Sequence, residues 1–164
     1  LTSAINRVYS IANLHEMMYQ PNSIQKEVSL TEYIWSICDK VWSISPTLER
    51  PIIEFDLTEM HFNIETLVPL GIIINELITN SVKHAIPQEG LLKIELKIRP
   101  KDNFYILRYQ DNGQGYPDEI KDSLGFYLIS AMSRQLQGRF EYENTKGAVS
   151  IIYFKPKKVN ATTN

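Results

Sequence analysis

The chain has 164 residues, enough for one α/β core with an appendage and too few for two full domains. Its 17 basic and 19 acidic side chains leave a net charge of -2, which gives no electrostatic ground for a nucleic-acid or anionic-membrane partner, and no run approaches the roughly 20 apolar residues that span a bilayer. A lone cysteine, Cys38, excludes an intrachain disulfide and a cysteine-based metal site, and the opening residues do not read as a signal peptide.

Leu1, Ile5, Val8, Ala12, His15 and Tyr19 recur at 4-3-4-3-4 spacing, the seam of a helix that packs lengthwise against other helices. Residues 1–20 therefore read as one helix cut from something longer, ended by Pro21-Asn22-Ser23, with residues 21–28 as a linker. Ser29 followed by Glu32 is a capping-box pattern, and the helix it opens carries the stripe Tyr33, Ile34, Ile37, Val41 and Ile44. Pro46 and Pro51 bound the connector after it. Short strands are predicted at Ile52 to Asp56 and His61 to Ile64, then a helix from Leu67 to Ala85 with Pro69 in its first turn. Strict alternation predicts a strand from Leu92 to Ile98, and Phe104 to Asp111 reads as the next. A polar loop from Asn112 to Leu124 leads to a helix with Leu128, Ile129, Met132 and Leu136 on one face. Arg139 to Asn144 and Val149 to Phe154 close the unit as a hairpin, and residues 157–164 read as a disordered tail after a solvated stretch from Lys155. This order implies an α+β fold, with helices layered on one face of a mixed, mostly antiparallel sheet.

Two stretches carry chemistry. In Asn75-Glu76-Leu77-Ile78-Thr79-Asn80, Glu76 and Asn80 are spaced i, i+4 and project from one helix face. In Asp111-Asn112-Gly113-Gln114-Gly115, a carboxylate at a strand end runs into a turn whose glycines let the backbone approach a ligand closely. A carboxylate accepts a hydrogen bond from an adenine amino group, and an Asn carbonyl oxygen suits a hard ion such as Mg²⁺. ATP is the ligand these groups predict. Taken singly, the second stretch is an ordinary turn and the first a solvated helix face. Their joint order on a helix and a strand end is what favours a pocket.

From about Ser29 to Pro156 the chain resembles the catalytic ATP-binding domain of sensor histidine kinases, in the superfamily of gyrase B, Hsp90 and MutL. Residues 75 to 85 resemble the N box, Asp111 to Gly115 the first glycine box, Leu124-Gly125-Phe126-Tyr127-Leu128-Ile129 the second, and Gly147 the last. The Lys-His-Ala ending of the N box and Arg-Gln-Leu-Gln-Gly at 134 to 138 resemble the subfamily with a type-2 dimerisation domain. That resemblance implies Asp111 as the adenine acceptor, Asn80 as the Mg²⁺ ligand, and Glu76 as the catalytic carboxylate. It implies Gly113, Gly115, Leu124 and Gly125 as further nucleotide contacts, and Lys83 as a phosphate or ribose contact or else a surface charge. His84 reads as packing or hydrogen bonding at the helix end, and His61 has no supporting neighbours. Ala148 departs from the family pattern, where a Thr is common, and the loop from Gln114 to Ser123 is a short one.

The resemblance implies a protein histidine kinase that moves the ATP γ-phosphoryl group to a histidine, and thence to an Asp of a response-regulator receiver domain. It places His15 in the second dimerisation helix, on the apolar seam, so the acceptor histidine is expected upstream and the parent is expected to be a homodimer. The expected divisions are residues 1–20 as that helix, 21–28 as linker, 29–156 as the catalytic domain and 157–164 as tail. A cytoplasmic location is expected, with membrane attachment only through upstream segments and no nucleic-acid partner. The alternative is a degenerate adaptor or phosphotransfer module that keeps the fold without kinase activity; a serine kinase that regulates a sigma factor shares the fold but lacks need of the seam helix.

Overall fold

A computed structural model of the chain describes residues 28–44, 49–57, 61–87, 89–118 and 123–157, with Val8 and Ala12 as two helical, exposed positions ahead of them. The other positions of the expected seam helix, His15 among them, residues 21–27 of the expected linker and residues 158–164 lie outside the described residues, while Val28, expected in the linker, is in a strand. Val8 is 67% exposed.

Strand β1 (Val28–Ser29) pairs antiparallel with β3 (His61–Phe62). Helix α1 (Leu30–Ile44) starts where Ser29 Oγ accepts from the Glu32 amide at 3.5 Å, the expected cap. Its stripe of Tyr33, Ile34, Ile37 and Val41 is buried, together with Leu30, Cys38 and Trp42 on the same side, which the sequence reading left out. Burial pushes the Cys38 thiol up to about 12, so it is an inert core group. The side chain of Ile44 lies outside the described residues.

Helix α2 (Ile64–His84) begins earlier than predicted, and the strand expected to reach Ile64 stops at Phe62. The cause is Asn63. Its Oδ1 accepts from the Thr66 amide at 3.1 Å and the Thr66 hydroxyl at 2.9 Å, and that cap outweighs the apolar run that made residues 61 to 64 look extended. Pro69 consequently lies inside the helix, beyond the first turn, and costs one internal hydrogen bond. Asn63 Nδ2 also donates to the Lys157 carbonyl at 3.1 Å, while the Lys157 amide donates to Thr66 Oγ1 at 2.8 Å. Lys155 is held in turn by its amide to the Leu136 carbonyl at 2.8 Å. These bonds tie Lys155 and Lys157, where the sequence suggests a solvated stretch and the start of a tail, to the rest of the fold.

The five-stranded sheet has the order β2-β4-β5-β7-β6, from β2 (Ile52–Leu57), β4 (Lys93–Lys101), β5 (Phe104–Asp111), β6 (Arg139–Asn144) and β7 (Ala148–Phe154). Only β2 and β4 run parallel, joined by the crossover through α2; the other neighbours are antiparallel. Ile94, Leu96, Ile98, Leu107, Tyr109, Ile152 and Phe154 point one way, into a core completed by Leu67, Leu70, Ile74 and Ile78 of α2 and Ile129 of α3 (Leu124–Gln135). The other face alternates charges: Lys97 pairs with Glu95 at 2.7 Å, Arg139 with Glu141 at 2.7 Å, and Arg99 with Asp56. The result is the predicted two-layer, mixed and mostly antiparallel α+β fold.

Gly71 sets how closely α1 and α2 approach, because a Cβ there would lie 1.9 Å from the Tyr33 hydroxyl oxygen. Among the described residues that buried hydroxyl has no hydrogen-bond partner, and burial raises its pKa. A buried unpaired hydroxyl costs about 1–3 kcal/mol, so Tyr33→Phe is expected to leave stability unchanged or raise it by up to about 1 kcal/mol. Urea unfolding checks this; a clear loss of stability would mean that the hydroxyl has a partner.

Candidate functional site

Four pieces of chain converge at one end of the sheet: the last turns of α2, the end of β5 with the loop after it, the start of α3, and the β6–β7 turn. Between them lies a cleft of about 560 Å³. Asn80, Ser81 and His84 line it from α2, Asp111, Gln114 and Tyr116 from β5 and its loop, Phe126 from α3 and Ala148 from β7.

On α2 the i, i+4 rule puts Glu76, Asn80 and His84 on one stripe. Burial falls along it, from Glu76 at 2% exposed, through half-buried Asn80, to exposed His84. The Asn75 amide donates to Glu76 Oε1 at 3.5 Å. A Cβ on Gly125 would lie 3.1 Å from Glu76 Oε2 and 3.6 Å from Asn80 Nδ2, so the first turn of α3 is packed against this pair. Ser123 caps α3, accepting from the Phe126 amide at 3.5 Å. The amide ends of that turn favour negative charge, and a phosphate group is the natural complement.

Asp111 is 5% exposed and fully engaged on its protein side. Its Oδ1 accepts from the Gly113 amide at 3.0 Å and the Ala148 amide at 3.3 Å, and its Oδ2 from the Ser81 hydroxyl at 2.6 Å. Behind Ser81, the buried Tyr109 hydroxyl donates to the serine oxygen at 2.9 Å. Burial first, and the nearby Asp111 charge, raise the Tyr109 pKa well above that of a free phenol, while the Ser81 bond lowers it. Gly113 has no room for a side chain, since a Cβ would lie 2.6 Å from that of Ala85. At Gly147 the backbone has φ +113 and a Cβ would sit 1.8 Å from the Asp111 carbonyl oxygen, so the β6–β7 turn rests directly on the end of β5.

The loop after Asp111 is held at its start. Gly115, with φ +88, lets the chain turn under Asn144, whose side-chain amide accepts from the Tyr116 amide at 2.7 Å and donates to the Tyr116 carbonyl at 2.8 Å. The Tyr116 hydroxyl and Ser150 Oγ are 2.6 Å apart, and burial pushes that phenol up to about 12. Its ring meets Phe126 and Tyr142 edge-on, at 5.3 and 5.5 Å, to form an apolar wall of the cleft.

Of the residues named from the sequence, Asn80, Asp111 and Gly115 line the cleft, while Glu76, Gly113 and Gly125 pack beside these without being part of its lining. Lys83 is exposed and does not line the cleft, and Leu124 is 61% exposed and also outside its lining. His84 takes the position at the mouth instead, its carbonyl accepting from Gln114 Nε2 at 3.4 Å. Sequence reasoning missed Ser81, Tyr109, Tyr116 and Asn144. Only Ser81 had a signal, its place next to Asn80. Among the described residues no group of three or more His, Cys, Asp or Glu side chains is gathered to hold a metal. One carboxylate and one amide, Glu76 and Asn80, fit a hard cation that keeps most of its waters and shares phosphate oxygens, as Mg²⁺ does. Among the described residues no helix is long and apolar enough to cross a membrane.

The family described as histidine kinase-, DNA gyrase B-, and HSP90-like ATPase matches residues 66–160. No curated protein sequence matches the chain. Among solved structures, the histidine kinase domain of the blue-light activated histidine kinase from Erythrobacter litoralis is similar, with TM-score 0.76 and 16% identity over 94% of this chain and 75% of that one. The Acinetobacter baumannii histidine kinase AdeS is similar with TM-score 0.63 and 15% identity, over 94% of this chain and 77% of its own. The ATP binding domain of PrrB from Mycobacterium tuberculosis is similar with TM-score 0.59 and 18% identity, over 80% of this chain and 96% of its own. At these identities the likeness is one of fold.

Proposed function

The chain belongs to the histidine kinase-, DNA gyrase B-, and HSP90-like ATPase family, an ATP-binding family, and from that premise we propose that it is the catalytic domain of a two-component sensor histidine kinase. The observation that carries this reading is the Asp111 carboxylate, fixed by three protein donors in a cleft that Asn80 also lines, with the buried Glu76 one helical turn from Asn80. Asp111 accepts from the adenine amino group. Gly113 and Gly115 keep side chains out of the way of the purine, and the Tyr116–Phe126 wall bounds it. Asn80 would hold Mg²⁺, Glu76 one helical turn away is the catalytic carboxylate, and the α3 turn at Gly125 presents backbone amides to the phosphates. Bound Mg²⁺ supplies charge neutralisation on the phosphate oxygens. Phosphoryl transfer asks mainly for such positioning and neutralisation, which this set of groups offers.

In this reading the γ-phosphoryl group passes to a histidine outside residues 29–156, with cleavage of its bond to the β-phosphate oxygen and formation of a bond to an imidazole nitrogen. A response-regulator Asp then receives it. Residues 1–20 serve as the second dimerisation helix of a homodimer, and the domain works in the cytoplasm. An adaptor would have no use for Asp111, Asn80 and Glu76 together.

Thermal unfolding with Mg²⁺-ADP and with Mg²⁺-GDP tests the pocket. Ligand at a hundredfold excess over its dissociation constant stabilises the native state by about 2.7 kcal/mol, so the midpoint is expected to rise with ADP and not with GDP. No rise at millimolar ADP would remove the kinase reading and leave the adaptor.

A further inference from the structure

The hydroxyl chain behind Asp111 has a fixed direction. A carboxylate only accepts, so the Ser81 proton lies on the 2.6 Å bond to Asp111 Oδ2, within the range of about 2.5–2.7 Å typical of a hydroxyl bound to a carboxylate. With its proton committed, Ser81 Oγ faces the Tyr109 hydroxyl as an acceptor, and Tyr109 donates at 2.9 Å. Burial and the Asp111 charge keep that phenol protonated.

Counting lone pairs shows what remains for a ligand. Oδ1 of Asp111 already takes two amide protons, from Gly113 and Ala148, and Oδ2 takes one from Ser81, which leaves one acceptor position on Oδ2. Ser81 Oγ, having given one proton and taken another, keeps one lone pair. Both residues line the cleft, so their free positions make an edge of two adjacent acceptors with no donor between them.

We propose that Ser81, held in polarity by Tyr109, is a specificity-determining residue that orients Asp111 and completes with it a double-acceptor edge for the amino group at position 6 of the purine. A purine bearing an oxygen at that position meets two acceptors and is rejected. The inference rests on the ATP-binding reading and adds to it the residue pair that makes the adenine contact selective.

Three diphosphates separate the possibilities when titrated calorimetrically with Mg²⁺ present: ADP, IDP with its 6-oxo group, and purine riboside diphosphate with only hydrogen there. In the parent chain ADP binds tightest. Ser81→Ala is expected to weaken ADP about tenfold, the upper end for a lost neutral hydrogen bond, while leaving purine riboside diphosphate unchanged. Tyr109→Phe is expected to weaken ADP in the same selective way by a smaller factor. Unfolding midpoints near the parent's confirm that both variants are folded. An equal loss for all three nucleotides, or none for ADP, in folded variants would overturn the proposal while leaving the ATP-binding reading intact. Failure of the parent chain to bind any of the three would overturn the reading, and the proposal with it.

Discussion

Asp111→Asn is expected to weaken ADP binding at least about a hundredfold, close to 3 kcal/mol, because it reverses the polarity of the acceptor edge. The amide oxygen of Asn at 111 would stay with the two backbone donors, Gly113 and Ala148, since turning the NH₂ toward them would set donor against donor. Its NH₂ then occupies the place of Oδ2. It meets the Ser81 hydroxyl, which accepts with its free lone pair and must turn its proton away from residue 111, and it faces the purine amino group donor to donor. Stability should fall far less than binding, by about 1 kcal/mol, since each buried group can still find one partner. Calorimetric titration beside urea unfolding separates the two effects. An Asp111→Asn chain that binds ADP within about threefold of the parent would remove Asp111 from the adenine contact.

Gly147→Ala carries the largest expected cost to the fold, about 3 kcal/mol or more. Two penalties coincide there: φ is +113, where residues with a Cβ are strained, and the Cβ would lie 1.8 Å from the Asp111 carbonyl oxygen and 2.8 Å from its carbon. These obstacles are backbone in the middle of a sheet, so no side chain can swing aside. The turn has to withdraw from β5, taking with it the Ala148 amide that binds Asp111, and nucleotide affinity should drop in whatever fraction stays folded. Gly90→Ala is the control. Its φ is +67 but nothing lies within 4 Å of the added atom, so only the conformational cost of about 1–2 kcal/mol applies. Equal destabilisation of the two variants in urea would show that contact with β5 contributes nothing.

Much of this architecture was legible because it rests on period and on local caps. Phe104 to Asp111 reads as a strand and forms one with those bounds, and Ser29 with Glu32 marks the start of α1. The misreading at Ile64 came from a competition that hydropathy does not register, an Asn side chain capturing two donors of Thr66. Pro69 then looked like a first-turn residue because the start of the helix was set too late. In the site, the residues legible in sequence were those within three short motifs. The bonds from Ser81 and Ala148 to Asp111, and from Asn144 to Tyr116, link positions 30, 37 and 28 residues apart. No period or spacing encodes such pairings. Lys83 and His84 illustrate the resolution limit of a helical wheel: one position of rotation decides which of two neighbours faces the cleft.

The charged outer face of the sheet has a consequence for the cleft that it never touches. Its ion pairs are half-exposed and add little energy, but they occupy alternate positions on strands whose other positions are Ile94, Leu96 and Ile98. Side chains alternate with a period of two, so sliding β5 by one residue against β4 while keeping the pleat would turn Arg108 and Gln110 toward the helices and Leu107 and Tyr109 toward water. Asp111, now level with Ile94 and aimed at the cleft, would turn away with Leu107 and Tyr109. Burying an arginine there without a partner is far costlier than any loss on the outside. The solvated face thereby works as an alignment key, excluding the one mispairing that would leave the sheet nearly intact and the purine acceptor pointing the wrong way.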